Sequence, residues 1–307
     1  MVRNIAISAL LALVCWSAGM AAAGEKIVIA YSNIADSDVF CLKIKEQFAK
    51  FASQSPNVEV VFTDAMLDNM KQIDQVDNFI VQGVDGIVLV PVDYAGITPA
   101  VEKANDAGIP VVCLVIASEG GEYTYVGSPN LEAGKLQGDF MRDNLPKNAK
   151  LLYLQGTLGL NHTHQRWEGF KAACLDQRPD IELLSAQSGN FERDQGMKIA
   201  EDWIQSFPTF DAIVSANDQM ALGTIQALEV ANRLDGVLIT GVDGVDDAME
   251  NVKEGKMSQT ILYNAPHVAK TGFEVIMDRI AGKSLPKEVF VPFVSVTKEN
   301  VDQYINQ

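Results

Sequence analysis

The sequence predicts an α/β protein of two Rossmann-like lobes, each built on a parallel sheet. Three observations carry this. Short apolar runs alternate with amphipathic stretches from residue 25 onward. The runs are nearly continuous in Val, Ile and Leu, as in strands covered by helices on both faces. The rhythm breaks and restarts near Gly127–Pro129. That break divides roughly ten βα units, too many for one compact open sheet, into two halves of similar pattern.

The first half reads in order. Lys26–Ser32 is a continuous apolar strand, and Asn33–Asp38 is the polar loop at its carboxyl end. Val39–Ser53 places Phe40, Ile44, Phe48 and Phe51 at helical spacing. Val58–Phe62 is a second strand, and Asn69–Gln82 a helix with Ile73, Val76, Phe79 and Ile80 on one face. Gly86–Pro91 is a third strand, after which Asp93 is expected to cap a helix reaching Ala107. Ile109–Ile116 and the short Tyr123–Val126 complete this half.

The second half opens on a helix over Asn130–Asn144, where Gly134 and Gly138 allow close packing. A strand at Lys150–Gln155 leads through the loop Gly156–His164 to a helix from Gln165 to Asp176. Strands at Ile181–Ala186, Ala212–Ala216, Val237–Gly241 and Ser258–Leu262 follow. They alternate with helices at Arg193–Ser206, Gln219–Asn232, Asp246–Glu254 and His267–Ala281. Val289–Val296 is strand-like, and Thr297 begins a short final helix.

Composition narrows the function. Of the 307 residues 48% are hydrophobic and 21% charged, so a large core can be buried and disorder is excluded. The net charge of −16 repels nucleic acid, whose phosphates need Lys and Arg. Arg3, the apolar run Ile5–Trp16 and Ala21-Ala22-Ala23 form an export leader cut after Ala23. Cys15 raises lipid anchoring, but Val14 before it is too large for that signal. After cleavage Cys41, Cys113 and Cys174 remain, an odd number at wide spacing, expected as small buried hydrophobes.

Two strand ends concentrate polar chemistry. The run Ala-Ile-Val-Ser-Ala stops at Asn217 and Asp218, and Leu-Ile-Thr-Gly-Val stops at Asp243 and Gly244. Ligands of open α/β sheets sit at that carboxyl edge, and two lobes place a cleft there. An amide and a carboxylate together suit hydroxyls or charged groups. Asp218 itself is expected to cap the helix that follows.

The strings VQGVDGIVLVPVD, AGIPVV, QGTLGLNHTHQRWEGF, ANDQMALGTIQAL, TGVDG, VKEGKMSQTI and VPFVSVTKENVDQY occur in this order. In order and spacing they resemble the periplasmic substrate-binding proteins of the ribose/galactose-binding type, receptors of carbohydrate ABC importers. The resemblance covers the whole mature chain. It implies the type I periplasmic binding protein fold, two lobes joined by a hinge of three crossovers. These fall near Ser128, Tyr263–Ala265 and Val291–Phe293. The implied organisation is a signal peptide over 1–23, a first lobe of 24–127 plus 265–292, and a second of 128–264 plus 293–307.

The resemblance also implies a site. Arg166 stands at the family's ligand arginine, Phe191 at its stacking aromatic, and Asn217 and Asp243 at the strand-end ligands. A guanidinium donates to hydroxyl oxygens and a carboxylate accepts from hydroxyls. His164, two residues before Arg166, is expected at the rim. Trp167 is expected to pack, and His162 and His164 fit no metal triad. The first lobe departs from the family pattern. Its loop carries Asp36 and Asp38 where aromatics usually stand, Val115 and Ile116 replace an Asp-Arg pair, and Tyr263 and Asn264 stand where an amide reaches the ligand.

Ribose therefore does not fit, and a different sugar, a polyol or a cyclitol does, with an amino-bearing ligand as the alternative. The implied role is a monomeric exported receptor that hands its ligand to ABC permease subunits. The same fold serving a chemoreceptor or sensor kinase is the other reading. No cofactor is implied. The sequence carries no nucleophile elbow, P-loop, G-x-G-x-x-G or metal triad, so a binding role is expected over an enzymatic one.

Overall fold

The computed structural model describes residues 26–305. The leader expected over 1–23, with Cys15, lies outside the described residues. In chain order the first elements are β1 (Ile27–Asn33), α1 (Val39–Ala52), β2 (Val58–Asp64), α2 (Asn69–Gln82), β3 (Gly86–Leu89), α3 (Thr98–Asp106), β4 (Val111–Leu114) and β5 (Thr124–Gly127). Next come α4 (Asn130–Asn144), β6 (Lys150–Gln155), α5 (Asn161–Phe170), β7 (Glu182–Ser188), α6 (Arg193–Ser206), β8 (Ala212–Ser215) and α7 (Asp218–Val230). The chain closes with β9 (Leu238–Asp243), α8 (Asp246–Glu254), β10 (Gln259–Leu262), α9 (Ala265–Ile280), β11 (Glu288–Phe290) and β12 (Val294–Thr297).

Two six-stranded sheets result, ordered β11-β5-β4-β3-β1-β2 and β12-β10-β9-β8-β6-β7. Every pairing is parallel except β10 with β12. Strand alternation sorts the core by face. Ile29 and Tyr31 of β1 pack with Ile44 and Phe48 of α1 and Ile276 of α9, while Ala30 turns to the opposite face with Val76, Phe79 and Ile97. In the second sheet Ile213 joins Trp203, Met220 and Val252, and Val214 joins Met141, Phe170 and Cys174. Cys41, Cys113 and Cys174 are all buried and free, as small hydrophobes would be.

Several element boundaries move, each for a local reason. The helix expected from Asp93 starts at Thr98 instead; Asp93 Oδ1 accepts the Gly96 amide and holds the turn before it. The helix expected from Gln165 begins at Asn161 and ends in a π-helical turn over Lys171–Leu175. The single tail strand divides into β11 in the first sheet and β12 in the second. Pro292 lies between them and has no amide to donate. The final helix shortens to a 3₁₀ turn at Val301–Gln303.

Helix α4 lies directly on α5 because Gly134 has no side chain. A Cβ there would stand 1.9 Å from the Arg166 carbonyl oxygen, and one on Gly138 would stand 2.8 Å from that of Phe170. Gly134→Ala is expected to lower stability by about 2–3 kcal/mol, the cost of forcing two helices apart. Urea unfolding measures it, and an unchanged midpoint would mean that the helices separate freely.

The chain passes between the sheets three times: after β5 at Ser128, after β10 at Tyr263, and between β11 and β12 at Val291–Phe293. The three crossings meet. The Tyr263 hydroxyl accepts the Ser128 amide at 2.9 Å, and the Ser128 hydroxyl donates to the Val291 carbonyl. Gly127 leaves room for this, since a Cβ there would strike the Tyr125 and Tyr263 hydroxyls.

Candidate functional site

The site is built around the carboxyl ends of β8 and β9. Asn217, rather than Asp218, caps α7: its Oδ1 accepts the Met220 amide at 3.1 Å, and its Nδ2 donates to the Phe191 carbonyl at 3.0 Å. Asp218 is fully buried. Its carboxylate accepts the amides of Gly244 at 2.7 Å and Val245 at 3.0 Å and the Thr260 hydroxyl at 2.8 Å. Gly241 beside it has no room for a Cβ, which would lie 2.3 Å from Asp218 Oδ1. Burial pushes the Asp218 carboxyl up to about 7, against the pull of those donors and of Arg166.

Asp218 thereby fixes the turn that presents Asp243. That residue has φ 122, a conformation L residues rarely take. Asp243 is 9% exposed, and its Oδ1 stands 3.9 Å from Nη1 of Arg166. Burial raises the Asp243 carboxyl well above its ordinary range; Arg166 opposes this, and Asp218 and Asp38 add like charge. Such a carboxylate gains strongly from any donor that reaches it. Arg166 is also buried, with Nε donating to Asn130 Oδ1 at 2.9 Å and Nη1 to the Ala216 carbonyl at 2.5 Å. Its guanidinium is thus held in place from α4 and from the turn after β8.

Phe191 follows Asn190 in left-handed backbone, φ 65 after φ 52. Its ring lies over Gly156, where a Cβ would come within 1.9 Å, and stacks on His162 at 5.2 Å and 24°. Burial and the Arg166 charge push His162 down to about 3, so the ring is neutral at physiological pH. A depressed histidine contributes stability above its unfolded value and loses it as pH falls through the window from about 6.5 toward 3. Wild type should therefore lose more stability between pH 7 and pH 4 than His162→Gln, by urea titration. Equal losses would place the ring in water.

Other expected site residues also have structural partners, Tyr263 and Asn264 while lining a small pocket with Asp243. Asp36 accepts from Asn33 Nδ2 at 2.8 Å and from Lys45 Nζ at 2.5 Å. Burial would raise its carboxyl, and these two bonds overcome that and lower it. Asp38 caps α1 by accepting the Cys41 amide at 2.8 Å. Tyr263 is buried at the hinge, its ring 4.8 Å from those of both Phe40 and Phe293. Asn264 caps α9 through the His267 amide. His164 is exposed on α5, 3.1 Å from Glu168, and borders the cavity between Tyr94 and Trp167. Trp167 packs edge-on to Tyr153.

The structure thus gathers Arg166, Asn217, Asp243 and Phe191 with three residues not expected at the site: Asn130, Asp218, which was expected as a cap, and His162. Only their proximity to the strand ends and to Arg166 hinted at them. Two cavities near this cluster are bordered by both lobes, though Arg166, Asn217, Asp243 and Phe191 line neither of them. One cavity of about 330 Å³ lies between Val115 and Ile116 on one side and Asn130 and His162 on the other. A second, of about 530 Å³, lies between Tyr94 and the Trp167 face of α5. Lys43 of α1 reaches Asp246 of α8 across the lobes at 2.7 Å. Among the described residues no group of three or more His, Cys, Asp or Glu could hold a metal ion.

Two parallel-sheet lobes, three crossings and polar groups at facing strand ends define a two-lobed, hinged binding-protein fold. The model of the periplasmic binding protein domain matches residues 29–284, and the chain belongs to that family. It is 32% identical over 261 residues to a ribose import binding protein of Bacillus subtilis, covering 85% of this chain and 84% of the relative. A xylitol-binding protein of Mycolicibacterium smegmatis is 33% identical over 294 residues, 95% of this chain and 83% of that one. Among solved structures, an ABC transporter solute-binding protein of Bacillus halodurans with bound myo-inositol superposes with a TM-score of 0.86. It has 32% identity and covers 91% of this chain and 97% of its own. The fold is the type I periplasmic binding protein fold that the resemblance implied.

Proposed function

We propose that this chain is an exported solute-binding protein. It captures a small hydroxylated ligand (a sugar, polyol or cyclitol) between its lobes and delivers it to the membrane subunits of an ABC importer. The observation that carries this is the buried Asp243–Arg166 pair at the cleft. A carboxylate and a fixed guanidinium, flanked by the Asn217 amide, match the acceptors and donors of adjacent hydroxyls. Phe191 offers a ring to the apolar face of such a ligand. Asp36, Asp38, Tyr263 and Asn264 act by holding the site in shape.

Relatives that bind ribose, xylitol and myo-inositol support the ligand class. The leader over 1–23 belongs to the same reading, as do lobes of 24–127 plus 265–292 and 128–264 plus 293–307. Capture rather than turnover is the activity of this reading, supported by relatives named for binding and import.

A thermal-shift screen of sugars, polyols, cyclitols and amino sugars tests it. Ligand that binds only the folded state raises the melting temperature, by about 2.7 kcal/mol of added stability at a hundredfold excess over Kd. A flat response to every neutral carbohydrate, with a response to amino sugars, would replace this reading by the amine alternative.

A further inference from the structure

A second space between the lobes has the makings of a binding site, apart from the Asp243–Arg166 anchor. It is the cavity of about 530 Å³ beyond the carboxyl ends of β3 and β6. None of Arg166, Asn217, Asp243 and Phe191 lines it. Its volume falls within the roughly 300–1,000 Å³ of small-ligand sites. The first lobe brings Asp93 and Tyr94 from the loop after β3. The second brings Gln155 from the end of β6, and Asn161, Thr163, His164 and Trp167 from α5.

Most of these polar groups have nothing to bind. The Tyr94 hydroxyl, the side-chain amides of Gln155 and Asn161 and the Trp167 indole N–H make no hydrogen bond among the described residues. Thr163 is 4% exposed, and its hydroxyl also lacks a partner there. A buried hydroxyl left unpaired costs stability, so a donor or acceptor that reaches it is favoured. The acid and the imidazole on the wall do have partners: Asp93 accepts the Gly96 amide, and His164 stands 3.1 Å from Glu168. The groups without a partner are all uncharged, and each lobe adds one aromatic ring.

Hydroxyls and amides both give and take hydrogen bonds, and aromatic rings cover hydrocarbon. That combination fits a ring with hydroxyls at its rim and C–H groups on its faces. We infer that this cavity is a second binding site, for a neutral hydroxylated ring (a sugar or cyclitol), filled separately from the anchor. This rests on the reading of the chain as a receptor for such ligands. The site has no guanidinium–carboxylate pair, so its affinity is about tenfold or more below that of the anchor. Its walls come from both lobes, so a ring held there favours the arrangement in which they meet.

Calorimetric titration of the exported protein with myo-inositol, ribose and glucose tests it. At least one of them should bind twice, with a weaker event after the first. The indole N–H resonance of Trp167 should shift with that sugar even in the Arg166→Ala protein, whose anchor is disabled. Tyr94→Ala and Asn161→Leu, one on each lobe, should each weaken the second event about fivefold or more and leave the first within about threefold. The retained first event shows that either variant is folded. One event per protein for every sugar that binds, with the Trp167 resonance unmoved in Arg166→Ala, would overturn the inference and leave the function standing. So would a second event unchanged in both variants. No binding of any probe, here and in the thermal-shift screen, would overturn the function and the inference together.

Discussion

Arg166→Ala is expected to weaken ligand binding by a hundredfold or more, with little change in the melting curve of the free protein's first lobe. The guanidinium is buried, donates to Asn130 and to the Ala216 carbonyl, and faces Asp243. Removing it takes a charged donor from the ligand and leaves the Asp243 carboxylate buried without its cation. Losing a charge-assisted bond and stranding its partner together cost about 3–5 kcal/mol. Arg166→Lys should recover only part of the loss, because an ammonium cannot reach Asn130, Ala216 and the ligand at once. Calorimetry with the ligand found by thermal shift decides it. Affinity within threefold of wild type would remove Arg166 from the site.

Asp218→Ala is expected to act on the fold. Its carboxylate satisfies two buried amides and a buried hydroxyl, those of Gly244, Val245 and Thr260. Without it these donors have no water to turn to, and the expected destabilisation is about 3–5 kcal/mol by urea unfolding. Affinity should fall as well, because the turn that holds Asp243 at φ 122 loses its anchor. Asp218→Asn is the informative companion. One amide oxygen can still accept, but its NH₂ group faces amide donors, so an intermediate loss is expected. Wild-type stability in both variants would show that the turn holds itself.

Much of this molecule was legible in the chain. The helices Asn69–Gln82, Asn130–Asn144, Arg193–Ser206 and Asp246–Glu254 fall where apolar spacing places them. So do the two sheets, because uninterrupted Val, Ile and Leu runs need cover on both faces. The Gly134–Arg166 contact was foreshadowed by the small residues at Gly134 and Gly138 alone. Local chemistry was harder to assign. Asn217 and Asp218 are both good caps, and only the position of β9 decides that Asn217 caps while Asp218 turns inward. Asp36 is engaged by Lys45, nine residues on and one helix away, a pairing no spacing rule singles out. His162 looked like an isolated loop histidine until the backbone reversal at Asn190 and Phe191 brought a ring against it.

The junction of Ser128, Tyr263 and Val291 has a kinetic consequence. Three strands that ran separately between the lobes could bend, twist and shear in independent ways. Tied at one node, they are expected to move together. Under the proposed function, opening and shutting are then expected to follow one coordinate between two arrangements. A ligand that touches both lobes in only one arrangement shifts the balance by its full differential affinity, and little is spent ordering other motions. Capture and release would then each be a single relaxation, with a rate set at the pivot and independent of where on the cleft rim a probe is attached.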